Sequence, residues 1–318
     1  VHPDLVEPVV RGLVGSIDVD GGPTDEQRSV LGAIATHLFE RPDLDLAAVV
    51  PLGPDEVAAQ LADPALRRRF AEMMFTLEMC RHPESDAQVS RCEAYSAALG
   101  SSPEEVAIIR TAIDEGVARA AADFDRFFDS MVADRSEPRF RERNLEPPHL
   151  DPEVAATIRG YHDLPEGTLG WHLADFYVSH GFAVPGSEIT PNTYLYFAHD
   201  NIHVISGIAP TGMGEIALGG FQVCMGDDPA SVFAFFSPLV LHETGYSAFD
   251  DIVATGETLS RPYAAELLGA EMGRGARTTA SFAWVDHLEL ARLPLAEVRA
   301  RFGVEAPADP GDGHHIYW

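Results

Sequence analysis

His199, Asp200, His203 and Glu215 stand in the pattern H-D-x-x-H, eleven residues, then E. Two histidines four apart share one face of a helix, about one turn from each other. Imidazole nitrogen and carboxylate oxygen together suit a divalent ion: zinc first, with iron, manganese or magnesium as alternatives. Asp200 is rotated about 100° from His199 on a helix of 3.6 residues per turn. That leaves it three roles: ligand at the edge of the site, general base, or orienter of a histidine. A pair of capped or surface histidines beside ordinary acids is the plainer alternative. The convergence of four donor-type residues favours a metal site.

The flanking residues supply the elements such a site needs. Thr190-Pro191 reads as an N-cap with proline at the first helical position, and Gly207 as the stop after Ser206. Pro210-Thr211-Gly212 is a turn, with Thr211 placed to cap the next helix. In an antiparallel hairpin, His203 near the end of one helix and Glu215 near the start of the next meet at one level.

The rest of the chain reads as helices. Thr24-x-x-Gln27 is a capping box, and Val30, Leu31, Ile34 and Leu38 follow at helical spacing. Further helices are expected from Asp63-Pro64, over Asp86–Leu99 with Gly100 as stop, and from Ser102 to about Met131. Beyond residue 150 they follow from Asp151-Pro152, over 167–180, 191–206, 213–225, 229–243, 261–272 and 295–302. Long strands do not alternate with these helices, so an all-α fold is expected and a parallel sheet is not. Met73, Met74 and Met79 read as core filler. The polar, proline-broken stretch 134–150 reads as a solvated linker. It divides an N-terminal helical domain, 1–133, from a metal-binding helical domain, 151–318. His37, His82, His149 and His180 read as surface or capping residues, and Gly313–Trp318 as a frayed terminus.

Composition narrows the function. Of 318 residues, 50 are acidic and 22 basic, for a formal charge of −28, and every base is arginine. The absence of lysine points to coding bias in a GC-rich genome. Nucleic acid is excluded as a partner by the overall field, and an anionic membrane repels such a chain on average. Peripheral membrane contact thus has no support from charge, and the sequence leaves a homodimer open. Cys80, Cys92 and Cys224 have no C-x-x-C spacing, and the first residues lack a signal-peptide pattern. A reduced, cytoplasmic protein is expected. The apolar run Ala230–Leu241 is too short to span a bilayer and reads as a buried helix or pocket wall. Phe233, Phe236, Leu239 and His242 are its candidate substrate-pocket residues.

The motif His199-Asp-x-x-His203-x11-Glu215 resembles the metal-binding signature of the coenzyme Q (ubiquinone) biosynthesis protein 4 family. Leu164-Pro-Glu-Gly-Thr-Leu-Gly170, Gly214-Glu215, Phe235-Phe-Ser-Pro-Leu239 and the stretch 284–303 are similar to further segments of that family. The likeness covers residues 150 to 307 or so. It implies an all-helical fold, a divalent metal held by His199, Asp200, His203 and Glu215, and a cavity for a prenyl tail. It also implies oxidative decarboxylation at C1 of a prenylated hydroxybenzoate, or organisation of other quinone-pathway enzymes at a membrane. The segment Asp18–Glu26 and the helix after it resemble the bacterial tellurite-resistance-type helical domain, which implies acids suited to a metal. The first half is foreign to the usual form of the coenzyme Q family. GC-rich bacteria, moreover, often make menaquinone, which opens the substrate to other hydroxylated aromatic acids of secondary metabolism.

Three functions follow. In a metal-dependent decarboxylase the ion chelates the substrate's carboxylate and the adjacent phenolic oxygen, with Asp200 and Glu215 as catalytic candidates. The partner is then a small aromatic or prenylated acid. A zinc metallohydrolase is the second, since H-D-x-x-H is one methylene short of H-E-x-x-H. A non-catalytic lipid-binding scaffold, housing its lipid among Val232, Phe233, Phe235, Phe236, Leu239 and Leu241, is the third.

Overall fold

The computed structural model describes residues 2–101, 136–190, 193–245 and 254–318. The helix expected over 102–131 and the proline at 191 lie outside them. Among the described residues the regular structure is helical, with two isolated β-bridges. No described helix is long and apolar enough to cross a membrane.

Two compact units are present, and they are not consecutive in sequence. One comprises the described residues of Val1–Phe124 with Glu215–Ala276; the other comprises those of Asp125–Gly214 with Arg277–Trp318. A division at 134–150 therefore does not separate them.

The first unit opens with α1 (Pro3–Ile17), α2 (Asp25–Ala33), α3 (Pro54–Gln60), α4 (Pro64–Met79) and α5 (Asp86–Leu99). The Thr24 capping box forms in full, and Gly100 ends α5 in the left-handed region at φ 60°. α1 was not marked out in advance. It buries Val6, Val9, Val10, Leu13 and Ile17 against the apolar faces of α4 and α5, which carry Phe70, Met74, Phe75 and Tyr95. Met73, Met74 and Met79 are core residues. Gln27, Arg81 and Gln88 form a buried polar knot: the Gln27 amide donates to the Leu77 carbonyl and the Arg81 guanidinium to Gln88. Within the same unit, α10 (Pro229–Leu239) is capped by Asp228 and runs on into a π turn, Val240–Thr244.

The second unit holds α6 (Pro152–Arg159), α7 (Leu169–His180), α8 (Thr193–Ser206), α12 (His287–Leu290) and α13 (Leu295–Phe302). The stretch read as a solvated linker is partly core. Residues Pro138–Leu145 form 3-10 turns, Phe140 packs on Tyr194 and Phe197, and the buried Glu137 accepts a hydrogen bond from His287. One aromatic ring anchors a segment whose arginines suggested solvent. The C-terminal residues are likewise paired: Ala209 N–H donates to the His314 carbonyl, and Ile316 N–H to that of Gly207.

α9 (Gly212–Met225) and α11 (Ala264–Arg277) complete the helices. The Thr211 hydroxyl accepts from Gly214 N–H, the cap expected from sequence.

Candidate metal centre

α8 carries the histidine pair, and its far end is held unusually firmly. Gly207 leaves the helix at φ 74°, a conformation that favours glycine, and its N–H reaches back to the His203 carbonyl at 2.8 Å. The last carbonyls of the helix do not rely on water. Arg299, on α13, donates to the carbonyls of Ile205 (2.9 Å) and Val204 (3.1 Å), and to that of Tyr317 (2.7 Å). Its guanidinium lies 3.6 Å from the centre of the Trp318 ring. A cation at a helix C-terminus also meets the negative end of the dipole.

His203 is buried, and its Nδ1–H donates to the Ile208 carbonyl at 2.9 Å. In a neutral ring that fixes the tautomer and makes Nε2 the acceptor nitrogen. This Nε2 lies 3.1 Å from Nε2 of His199, with the two rings at 87°. Two nitrogens bound to one ion at about 2.05 Å with a tetrahedral angle stand about 3.3 Å apart. Glu215 stands in the first turn of α9, just beyond the turn that follows α8. Donor type, spacing and tautomer all suit a divalent ion.

Asp200 stands outside that group. Its Oδ2 accepts a 2.6 Å hydrogen bond from the hydroxyl of Tyr177, on α7. Burial, with the Asp200 charge beside it, pushes the Tyr177 phenol well above its ordinary value. The hydroxyl therefore keeps its proton and holds the carboxylate in place. Asp200 also lines a cavity of roughly 200 Å³ with Tyr177, Phe182, Pro185, Glu188 and Tyr196. Neither Tyr177 nor this cavity was visible in the sequence, because α7 reaches the site only through tertiary packing.

The residues proposed for a substrate pocket are not among those that line this cavity. Phe233, Phe236 and Leu239 are buried core side chains of α10, and Phe236 meets Phe75 edge-to-face at 5.4 Å. Their faces pack against protein. His242, in the π turn, pairs through Nδ1 with the Thr255 hydroxyl at 3.1 Å. Burial lowers its pKa, while Glu215 acts in the opposite direction. His82, expected at the surface, instead pairs with the buried Glu243.

No family model matches the sequence, and no curated protein matches it significantly. Among solved structures, the chain aligns with one from Nostoc punctiforme whose name places it provisionally in ubiquinone biosynthesis. Identity is 17%, with 76% of this chain and 98% of that one covered, at a TM-score of 0.35. At that level neither fold nor activity carries over.

Proposed function

We propose that this chain is a metal-dependent enzyme that removes the carboxylate of a small hydroxylated aromatic acid in quinone or secondary-metabolite biosynthesis. The observation behind this reading is the Nε2 of His203, with its tautomer set by Ile208, facing His199 one helical turn away, with Glu215 at the expected spacing along the chain. His199, His203 and Glu215 would hold the ion. Three protein ligands leave a position for substrate, the pattern of catalytic sites and not of closed structural ones. When bound, the ion supplies Lewis acidity to a carboxylate and a neighbouring phenolic oxygen.

The protein's own groups do the remaining work. The cavity beside Asp200 is walled by Tyr177, Phe182, Pro185 and Tyr196, which suit a flat ring. As the ring–carboxylate bond breaks, its electron pair stays with the ring carbon, which then needs a proton. The hydrogen-bonded pair of Tyr177 and Asp200 holds one at the cavity wall. An oxidative version, with a hydroxyl replacing the carboxylate, requires dioxygen or an equivalent oxidant in addition.

The test is metal content of the purified chain together with carbon dioxide release from a panel of hydroxybenzoates. Activity that depends on metal and disappears in Glu215→Ala is expected. A metal-free, fully helical protein, or release unchanged in Glu215→Ala, would favour the non-catalytic scaffold.

A further inference from the structure

A second group of donor side chains lies wholly within the first unit, in residues that play no part in the site above. Glu26 is in the first turn of α2, His82 follows α4, and Glu243 is in the π turn after α10. They offer ligand atoms that all fall within 4.8 Å of one another. We infer that Glu26, His82 and Glu243 form a second divalent-metal site, with one imidazole and two carboxylates as ligands.

Glu243 is the anchor. It is fully buried; its Oε2 accepts the Leu259 N–H at 2.7 Å, and its Oε1 lies 2.7 Å from His82 Nε2. Glu26 Oε1 is also shut off from solvent, and among the described residues no hydrogen-bond donor faces it. A solvent-excluded carboxylate oxygen is costly, and a second carboxylate beside it raises the cost. A cation bound to both removes the repulsion and fills the vacant lone pair.

The surrounding charges point the same way. Glu84 and Glu257 add negative potential at His82, and Glu257 adds it at Glu26 as well. The backbone gives independent support. Single π turns within helices are uncommon and concentrate at functional sites. Of the two among the described residues, Ile34–Leu38 and Val240–Thr244, the second carries Glu243. This is also a different arrangement from an acidic turn binding metal alone: in the Asp18–Glu26 segment, Asp20 is engaged with the Ser85 hydroxyl instead. One nitrogen and two carboxylates suit zinc, manganese or ferrous iron.

The competing arrangement is a proton held by Glu26 beside a charged His82–Glu243 pair. Burial, with Glu243 close by, pushes the Glu26 carboxyl up to about 9. The experiment separates the two. The full-length protein is stripped with a chelator, reloaded with Mn(II) or Zn(II), desalted and assayed for bound metal by mass spectrometry. A His199→Ala/His203→Ala background removes the first centre, so the readout belongs to the second alone. That background should retain one equivalent, and adding Glu26→Gln or His82→Gln should lower it at least tenfold. Thermal unfolding, read alongside, should lose its metal-dependent shift in both added variants. Equal metal content with and without Glu26→Gln would overturn the site, as would a background that binds none while unfolding cooperatively. If Glu26→Gln raises the unfolding temperature and metal never changes it, the shared proton is the correct account.

Discussion

His203 Nδ1 and the Ile208 carbonyl oxygen are 2.9 Å apart, joined by a hydrogen bond across the glycine that ends α8. The bond orients a ring whose other nitrogen faces His199. Outer partners of this kind set ligand basicity and position.

The first prediction concerns the ligands. His199→Ala, His203→Ala and Glu215→Ala should each bind one equivalent of metal fewer than the parent chain while far-UV circular dichroism stays helical, since α8 and α9 are held by buried apolar faces. Full retention of metal in all three variants would remove the centre.

Arg299 should matter without touching the ion. Replacing it with Met strips three backbone carbonyls of their donor. A loss of about 1–3 kcal/mol in urea unfolding of the metal-free protein is expected. Metal affinity should then fall by about tenfold or more as the end of α8 and Ile208 loosen. Unchanged stability would mean that water replaces the guanidinium without cost.

Tyr177→Phe should leave metal content intact and slow turnover. The variant takes the hydroxyl from Asp200 and with it the proton at the cavity wall. A fall in kcat of about 100-fold, with KM changed little, is expected for loss of a general acid–base group. Equal losses in kcat/KM and metal content would instead make Tyr177 a structural support of the site.

Asp151 gives a pH dependence whose sign is fixed. Burial opposes its ionisation. The Tyr194 hydroxyl (2.7 Å), the Val154 N–H (3.1 Å) and Arg143 (2.6 Å) outweigh burial and hold the carboxyl below its ordinary value. A depressed folded-state value means stability that is present above the unfolded pKa, near 3.9, and lost as pH falls through the lower folded value. Asp151→Asn keeps an N-cap but loses the charge. Its deficit in unfolding free energy should be constant from pH 6 to 8 and shrink below about pH 4. A deficit that grows on acidification would contradict the assignment.

The parts of the molecule that were legible in the sequence are those written locally. The Thr24–Gln27 box, Asp63-Pro64, Gly100 and Thr211 are each caps whose chemistry lies within four residues. His199 and His203 belong to the same class, because four residues of helix bring them together. The π turn at Val240–Thr244 has no such signature. The Glu26–His82–Glu243 group was invisible for a plainer reason: His82 and Glu243 are 161 residues apart. Nothing in either neighbourhood announces the other. Phe140 misled in the opposite direction, since three flanking arginines outweighed one ring in composition but not in packing.

The first unit draws on two segments, Val1–Phe124 and Glu215–Ala276, and this orders events during synthesis. A ribosome finishes α1 to α5 long before it makes the helices that belong beside them. Until residue 276 or so has emerged, the apolar faces reserved for α10 and α11 have no cover. Closing a loop of that length costs little extra entropy, as the penalty grows only logarithmically. What it costs is time, during which those apolar faces stay exposed while the chain's net negative charge opposes aggregation.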